Sequence, residues 1–234
     1  MSAPSPRKFP FGWPFAGFSV AAAALFLLWP ELDLIVSGWF FENGEFHLRK
    51  HPVVDFVYSY GELPVRFVGL GAGAVALGLF LAKRTHLGRL SRRALLYVFL
   101  AAVIAPGLVV NGVFKEHFGR ARPVHVQEFG GDRQFTPPLV ITDQCERNCS
   151  FVSSHAACGF YFLALGFLFN GWTRRAWFAA GLGAGAVLGV GRILQGGHFL
   201  SDILFAAIFV YASAALLHYL MFRREYAALR NAGL

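Results

Sequence analysis

The chain has 234 residues, 56% of them apolar and only 15% charged, with 26 Phe, 26 Gly and a formal charge of +8. Ordinary soluble domains are about 45–50% apolar, so this composition excludes a disordered tail, a collagen, a disulfide scaffold and a polar nucleic-acid adaptor. The basic surplus lies between long apolar runs rather than in one patch, which removes nucleic acid as a partner.

A membrane span needs about 20 mostly apolar residues. In chain order, segments 11–29, 64–82, 94–114, 155–172, 176–193 and 199–222 meet or approach that length. They leave too little polar chain to cover them with a soluble surface. The expectation is an all-α polytopic protein with six transmembrane helices, the whole chain 1–234 forming one domain. Arg7 and Lys8 precede the first segment as they would a signal peptide. Pro30-Glu31-Leu32-Asp33 follows it without a small-x-small cleavage site, so the segment reads as a retained helix.

Basic residues orient the spans. Arg7 and Lys8 lie before the first span, and Lys83, Arg84, Arg89, Arg92 and Arg93 follow the second. Arg174 and Arg175 follow the fourth, and Arg223, Arg224 and Arg230 follow the sixth. In a six-span arrangement all of these share one side, which the positive-inside rule makes cytoplasmic, with both termini. The outer connections are then 36–63, 115–154 and the short 194–197. Long outer connections of this kind are commonly functional. Gly69-x-x-x-Gly73 and Gly185-x-x-x-Gly189 read as close helix packing.

Polar residues then gather at the outer ends of the spans. Lys115 ends the third, and Arg122 would share its face if the helix ran two turns further. Ser153, Ser154 and His155 open the fourth span, and Arg192 closes the fifth. His198 and Asp202, four residues apart, share a face at the start of the sixth. Taken singly, each has an ordinary explanation: an interfacial histidine, a snorkelling cation, a capping aspartate. Their convergence from four helices on one membrane face does not.

Three cations, Lys115, Arg122 and Arg192, suit a dense anion such as phosphate. Ser153 and Ser154 open a helix, whose free N–H groups favour the same ligand. One histidine could attack phosphorus while the other protonates the leaving oxygen. A zinc site from His155, His198 and Asp202 is the alternative, and the surrounding cations oppose it. No metal or other cofactor is therefore expected.

Lys115-x6-Arg122-Pro123, Val152-Ser153-Ser154-His155 and Gly191-Arg192-x5-His198-x3-Asp202 resemble, in order, the three-part signature of the type 2 phosphatidic acid phosphatases. That signature is K-x6-R-P, P-S-G-H and S-R-x5-H-x3-D. The resemblance implies a six-helix membrane fold and metal-independent hydrolysis of a lipid phosphate through a phosphohistidine. His198 would be the nucleophile, Asp202 its partner and His155 the acid. Lys115, Arg122, Ser153, Ser154 and Arg192 would hold the phosphate. Val152, Ser154 and Gly191 depart from the family's Pro, Gly and Ser.

The implied setting is the periplasmic face of a bacterial inner membrane, with a phospholipid or glycolipid phosphate as partner. The Cys149-Ser150-Phe151-Val152-Ser153 run resembles some lipid A phosphatases, which places lipid A ahead of undecaprenyl diphosphate, phosphatidylglycerophosphate and phosphatidic acid. Transfer of the phosphate to another lipid is the competing reaction, and a non-catalytic transporter or scaffold the competing class. Cys145 and Cys149 could form a disulfide in an oxidising periplasm and fix the loop before Ser153, or remain free thiols.

Overall fold

A computed structural model describes residues 11–231, with side chains up to Arg223. Arg7 and Lys8, and the side chains of Arg224 and Arg230, lie outside the described residues. Helix α1 (Trp13–Leu28) turns through 81° into α2 (Glu31–Gly38). Pro30 sits at the turn; the residue before a proline is pushed out of the helical region, and Trp29 is at φ −136°, ψ 67°. Glu31 and Asp33 in the first turn of α2 complement its dipole. A two-residue hairpin, β1 (Phe41–Glu42) with β2 (Glu45–Phe46), leads to α3 (Pro52–Tyr60).

Helix α4 (Leu63–Leu81) follows with Pro64 in its first turn, where no N–H is missed. A second short hairpin, β3 (His86–Leu87) with β4 (Leu90–Ser91), returns the chain into α5 (Arg92–His117). The middle of α5, Val103–Phe114, is wound as a π-helix around Pro106. Asn111 Nδ2 donates to the Pro106 carbonyl at 2.8 Å, satisfying an acceptor in the altered ladder. A long connection carries the chain to α6 (Ser154–Phe160), α7 (Leu163–Gly166), α8 (Gly171–Leu194) and α9 (Leu200–Asn231).

Four helices among the described residues are long and apolar enough to cross a membrane: Pro52–Leu81, Arg92–His117, Gly171–Leu194 and Leu200–Arg223. The bent α1–α2 pair makes five if it counts as one span. The remaining expected segment, 155–172, is two short helices broken at Tyr161 and Phe162, with residues 156–161 and 163–167 buried and Gly171 and Trp172 exposed. Neither helix alone is long enough to count as a span, and the segment packs at the centre of the bundle.

Small residues make that centre possible. A Cβ on Gly159 would run into the α8 backbone at Ala184 and Gly185, 2.5–2.6 Å away. The Gly69 and Gly73 pair likewise faces Ala102 and Phe99 at 2.7–2.8 Å, so the glycine motifs are packing features. Large apolar side chains such as Leu28, Phe67, Leu81, Leu108 and Trp172 stay exposed along the outside, as a lipid-facing surface requires.

The helices alternate in direction. Lys83, Arg84, Arg92, Arg93, Arg174, Arg175 and Arg223 fall at one end of the bundle. The C-termini of α5 and α8 and the N-termini of α6 and α9 meet at the other.

Candidate active site

The expected residues gather at that second end. Lys115 closes α5, and its Nζ donates to Asn148 Oδ1 at 2.6 Å. Arg122 does not continue the helix. Gly119 breaks it at φ +63°, where a Cβ would collide with the Thr142 carbonyl, and Arg122 lies in extended backbone before a 3-10 turn. The shared helix face is therefore replaced by a shared acceptor. Arg122 Nη2 reaches the same Asn148 Oδ1 at 2.9 Å and the Asn148 carbonyl at 2.8 Å.

Asn148 is at φ 53°, inside the five-residue loop closed by a Cys145–Cys149 disulfide with Cα atoms 5.6 Å apart. The two cysteines are thus paired, and the loop they close holds two of the three cations.

Arg192, at the end of α8, is 8% exposed. It donates to Gln195 and stacks over the Tyr58 ring at 4.6 Å. Gly197 lies against its guanidinium, and any side chain there would collide with it. His155 also stacks on Tyr58, ring to ring at 4.8 Å. His155 Nε2 lies 3.2 Å from the Tyr58 carbonyl and Nδ1 lies 3.4 Å from Glu62 Oε1. Both ring nitrogens thus face acceptors.

Ser153 caps α6, its hydroxyl accepting from Ala156 N at 3.4 Å. Ser154 donates to Asn111 on the π-wound stretch of α5.

His198 sits in the loop before α9 and is 1% exposed. Its Nδ1 is 3.5 Å from Asp202 Oδ2, leaving Nε2 as the free ring nitrogen. Burial pushes its proton affinity well below that of an ordinary imidazole; Asp202 opposes this, and Lys115 and Arg192 reinforce it. The ring is therefore neutral at pH 7.

Asp202 is fully buried and fully used. Its Oδ2 accepts from Ser150 Oγ at 2.6 Å and from Phe199 N at 2.8 Å, and its Oδ1 accepts from Arg120 Nη1 at 2.7 Å. Arg120 also pairs with Asp33 at 2.8 Å, donates to Ser201 and to the Thr136 carbonyl, and lies over the Phe199 ring at 4.4 Å. Asp33 in turn accepts from Ser201 N at 2.8 Å.

Reading the sequence missed Asp33, Arg120, Asn148, Glu62 and Tyr58. Arg120 sits two residues before Arg122 and passed as one more loop cation. Nothing in spacing alone joins it to Asp33, 87 residues away.

Arg122, Arg192, Asn148 and Tyr58 line a cavity of about 670 Å³ that opens to the outside. Among the described residues no three His, Cys, Asp or Glu side chains are grouped as a metal site. The donors here are arranged for an anion: three cations, a capped helix N-terminus and a buried neutral imidazole. A narrower crevice of about 280 Å³ runs between α4 and α5 from Glu62 and Asn111 to Leu70 and Phe99.

The family model of the PAP2 superfamily matches residues 93–226. The chain is 37% identical over 207 residues to a lipid A 4'-phosphatase of Francisella tularensis subsp. novicida (strain U112), a match covering 86% of this chain and 90% of that protein. It is 42% identical over 103 residues to a lipid A 4'-phosphatase of Rhizobium leguminosarum, covering 43% of each chain. With that of Rhizobium etli the identity is 39% over 105 residues, 44% of this chain and 40% of the relative. No solved structure matches.

Proposed function

The chain belongs to the PAP2 superfamily and is a lipid phosphatase of bacterial membranes, and from this premise we propose that it removes the 4'-phosphate of lipid A at the periplasmic face of the inner membrane. The observation that carries the reading is the buried, neutral His198, backed by Asp202 and close enough to Lys115 and Arg192 to feel their charge.

In the proposed reaction Lys115, Arg122, Arg192 and the N–H groups at the start of α6 hold the phosphate oxygens. Asn148 is a placeholder in this scheme: its side-chain oxygen takes donors from Lys115 and Arg122 that a phosphate oxygen would otherwise receive. His198 Nε2 attacks phosphorus, a P–N bond forms and the P–O bond to the sugar breaks. His155 gives its proton to the departing oxygen, exchanging one of its two present contacts for it. Asp202 holds Nδ1–H and supports the positive charge that the ring gains. Water then attacks the phosphohistidine with His155 as base, releasing phosphate. The fixed cations stabilise the charge spread over the equatorial oxygens.

The crevice between α4 and α5 suits an acyl chain entering from the bilayer, and its upper end reaches Glu62 beside His155. The Francisella relative favours lipid A over undecaprenyl diphosphate and phosphatidylglycerophosphate, because that match spans most of both chains.

Phosphate release by the purified protein in detergent, from lipid A and from those two competing lipids, tests the proposal. Lipid A should be turned over fastest, and activity should persist in excess EDTA. Faster release from another lipid would replace the substrate assignment. Recovery of a chelated, inactive enzyme by added Zn²⁺ or Mg²⁺ would replace the mechanism. Labelled phosphate appearing on an added lipid acceptor instead of in water would make the enzyme a transferase.

A further inference from the structure

The cavity over the site holds more positive charge than one phosphate needs. Besides Arg122 and Arg192, its walls carry Arg49, Lys50 and Arg147, against the single carboxylate of Asp55. The three additional side chains are exposed. Among the described residues none of them is paired with a carboxylate, Asp55 included. They come from two separate segments: Arg49 and Lys50 from the turn before α3, and Arg147 from the disulfide loop beside Asn148. His125 on the same wall does not add to the charge. Burial lowers its proton affinity first, and Arg122, Arg49 and Arg133 lower it further against the pull of Asp132.

A phosphate monoester carries about −1.5 to −2 at pH 7, and Lys115, Arg122 and Arg192 already match it. Unpaired cations at the mouth, outside that clamp, lack an anion on the protein and line the cavity that leads to Arg122 and Arg192. Arginine in particular presents a planar fork that matches phosphate geometry.

We propose that Arg49, Lys50 and Arg147 form a second anion subsite that binds another phosphate of the substrate's own headgroup while the first is hydrolysed. The inference rests on the phosphatase reading and adds a selectivity: a headgroup with two phosphates is preferred over the same headgroup with one.

The test compares a bisphosphorylated disaccharide lipid with its singly phosphorylated counterpart, which keeps only the phosphate to be cleaved. 4-Nitrophenyl phosphate serves as a headgroup-free control. The variants are Arg49→Gln/Lys50→Gln, which leaves the disulfide loop untouched, and the triple change that adds Arg147→Gln. Wild-type kcat/KM should favour the bisphosphorylated lipid by about tenfold or more. The triple variant should lose that preference, mainly through KM, and keep its activity on the singly phosphorylated lipid and on 4-nitrophenyl phosphate. Absence of a preference in the wild type, or an equal loss on all three substrates, would overturn the subsite. Should the wild type release phosphate from neither lipid, the phosphatase reading itself fails. Titration of the two lipids into wild-type and triple-variant protein still decides the subsite in that case, by whether the affinity difference exists and disappears.

Discussion

His198 is 1% exposed, and burial outweighs Asp202 in setting its proton affinity below the ordinary imidazole value of 6.5. Spacing along the chain could pair the two residues but could not rank those opposing effects. The sign then follows. A neutral ring at pH 7 attacks, and acidification must charge it, so the acid limb of the rate profile falls below pH 6.5. The unfolded chain takes up that proton more readily than the folded one. The contribution of this residue to stability is therefore complete above pH 6.5 and is lost as pH falls toward the depressed folded value. His198→Ala should fold, cut phosphate release by at least about a thousandfold and lose this part of the acid sensitivity in thermal unfolding. Release within tenfold of wild type would remove His198 as nucleophile.

His155 makes a separate prediction. His155→Gln should flatten the basic limb and slow the lipid substrate by about 10²–10⁴-fold. An activated aryl phosphate, whose leaving group needs little protonation, should be comparatively spared. Equal losses on both would make His155 a phosphate-binding residue.

At the scale of elements, the disulfide loop and the helix ends decide the geometry. Closing a loop as short as Cys145–Cys149 removes about 2 kcal/mol of unfolded-chain entropy, and it orders Asn148 between Lys115 and Arg122. Cys145→Ser/Cys149→Ser should leave a folded protein whose KM rises several-fold, because two phosphate-binding cations lose their common anchor. Dithiothreitol should do the same to the wild type and nothing to the variant, as read by kinetics with and without reductant.

Much of this was legible beforehand. Lys115, Ser153, His155, Arg192, His198 and Asp202 stand at helix termini, where apolar runs stop and charge begins. The course after Lys115 was not, because a single glycine in the left-handed region at Gly119 turned an expected helix into a loop. Segment 155–172 forms two short helices instead of one long one, a break that hydropathy does not report because it registers only that a segment avoids water.

The whole molecule has two chemically different ends. Basic residues from the α4–α5 connection, the start of α8 and the end of α9 line one; Arg122 and Arg192 line the cavity at the other. By the positive-inside rule, the first end is expected on the cytoplasmic side. At the second, Asp33 and Asp202 pair with Arg120 and Glu62 lies against His155. Reporter fusions should place the C-terminus in the cytoplasm and the connection around Asp143 in the periplasm. Periplasmic reporter activity from a fusion after Leu234 would contradict that orientation.

Arg120 links Asp33, near the beginning of the chain, to Asp202, near its end. The ribosome delivers these three charges far apart in time, the second 87 positions after the first and the third 82 positions after the second. Until α9 emerges, Arg120 has only half its partners and Asp202 does not yet exist. An unpaired ionised group inside the bilayer is expensive, so the nascent protein gains by keeping α2 and the segment around Arg120 at the wet interface. A chain interrupted before residue 202 therefore lacks the carboxylate that both backs His198 and completes the pairing of Arg120.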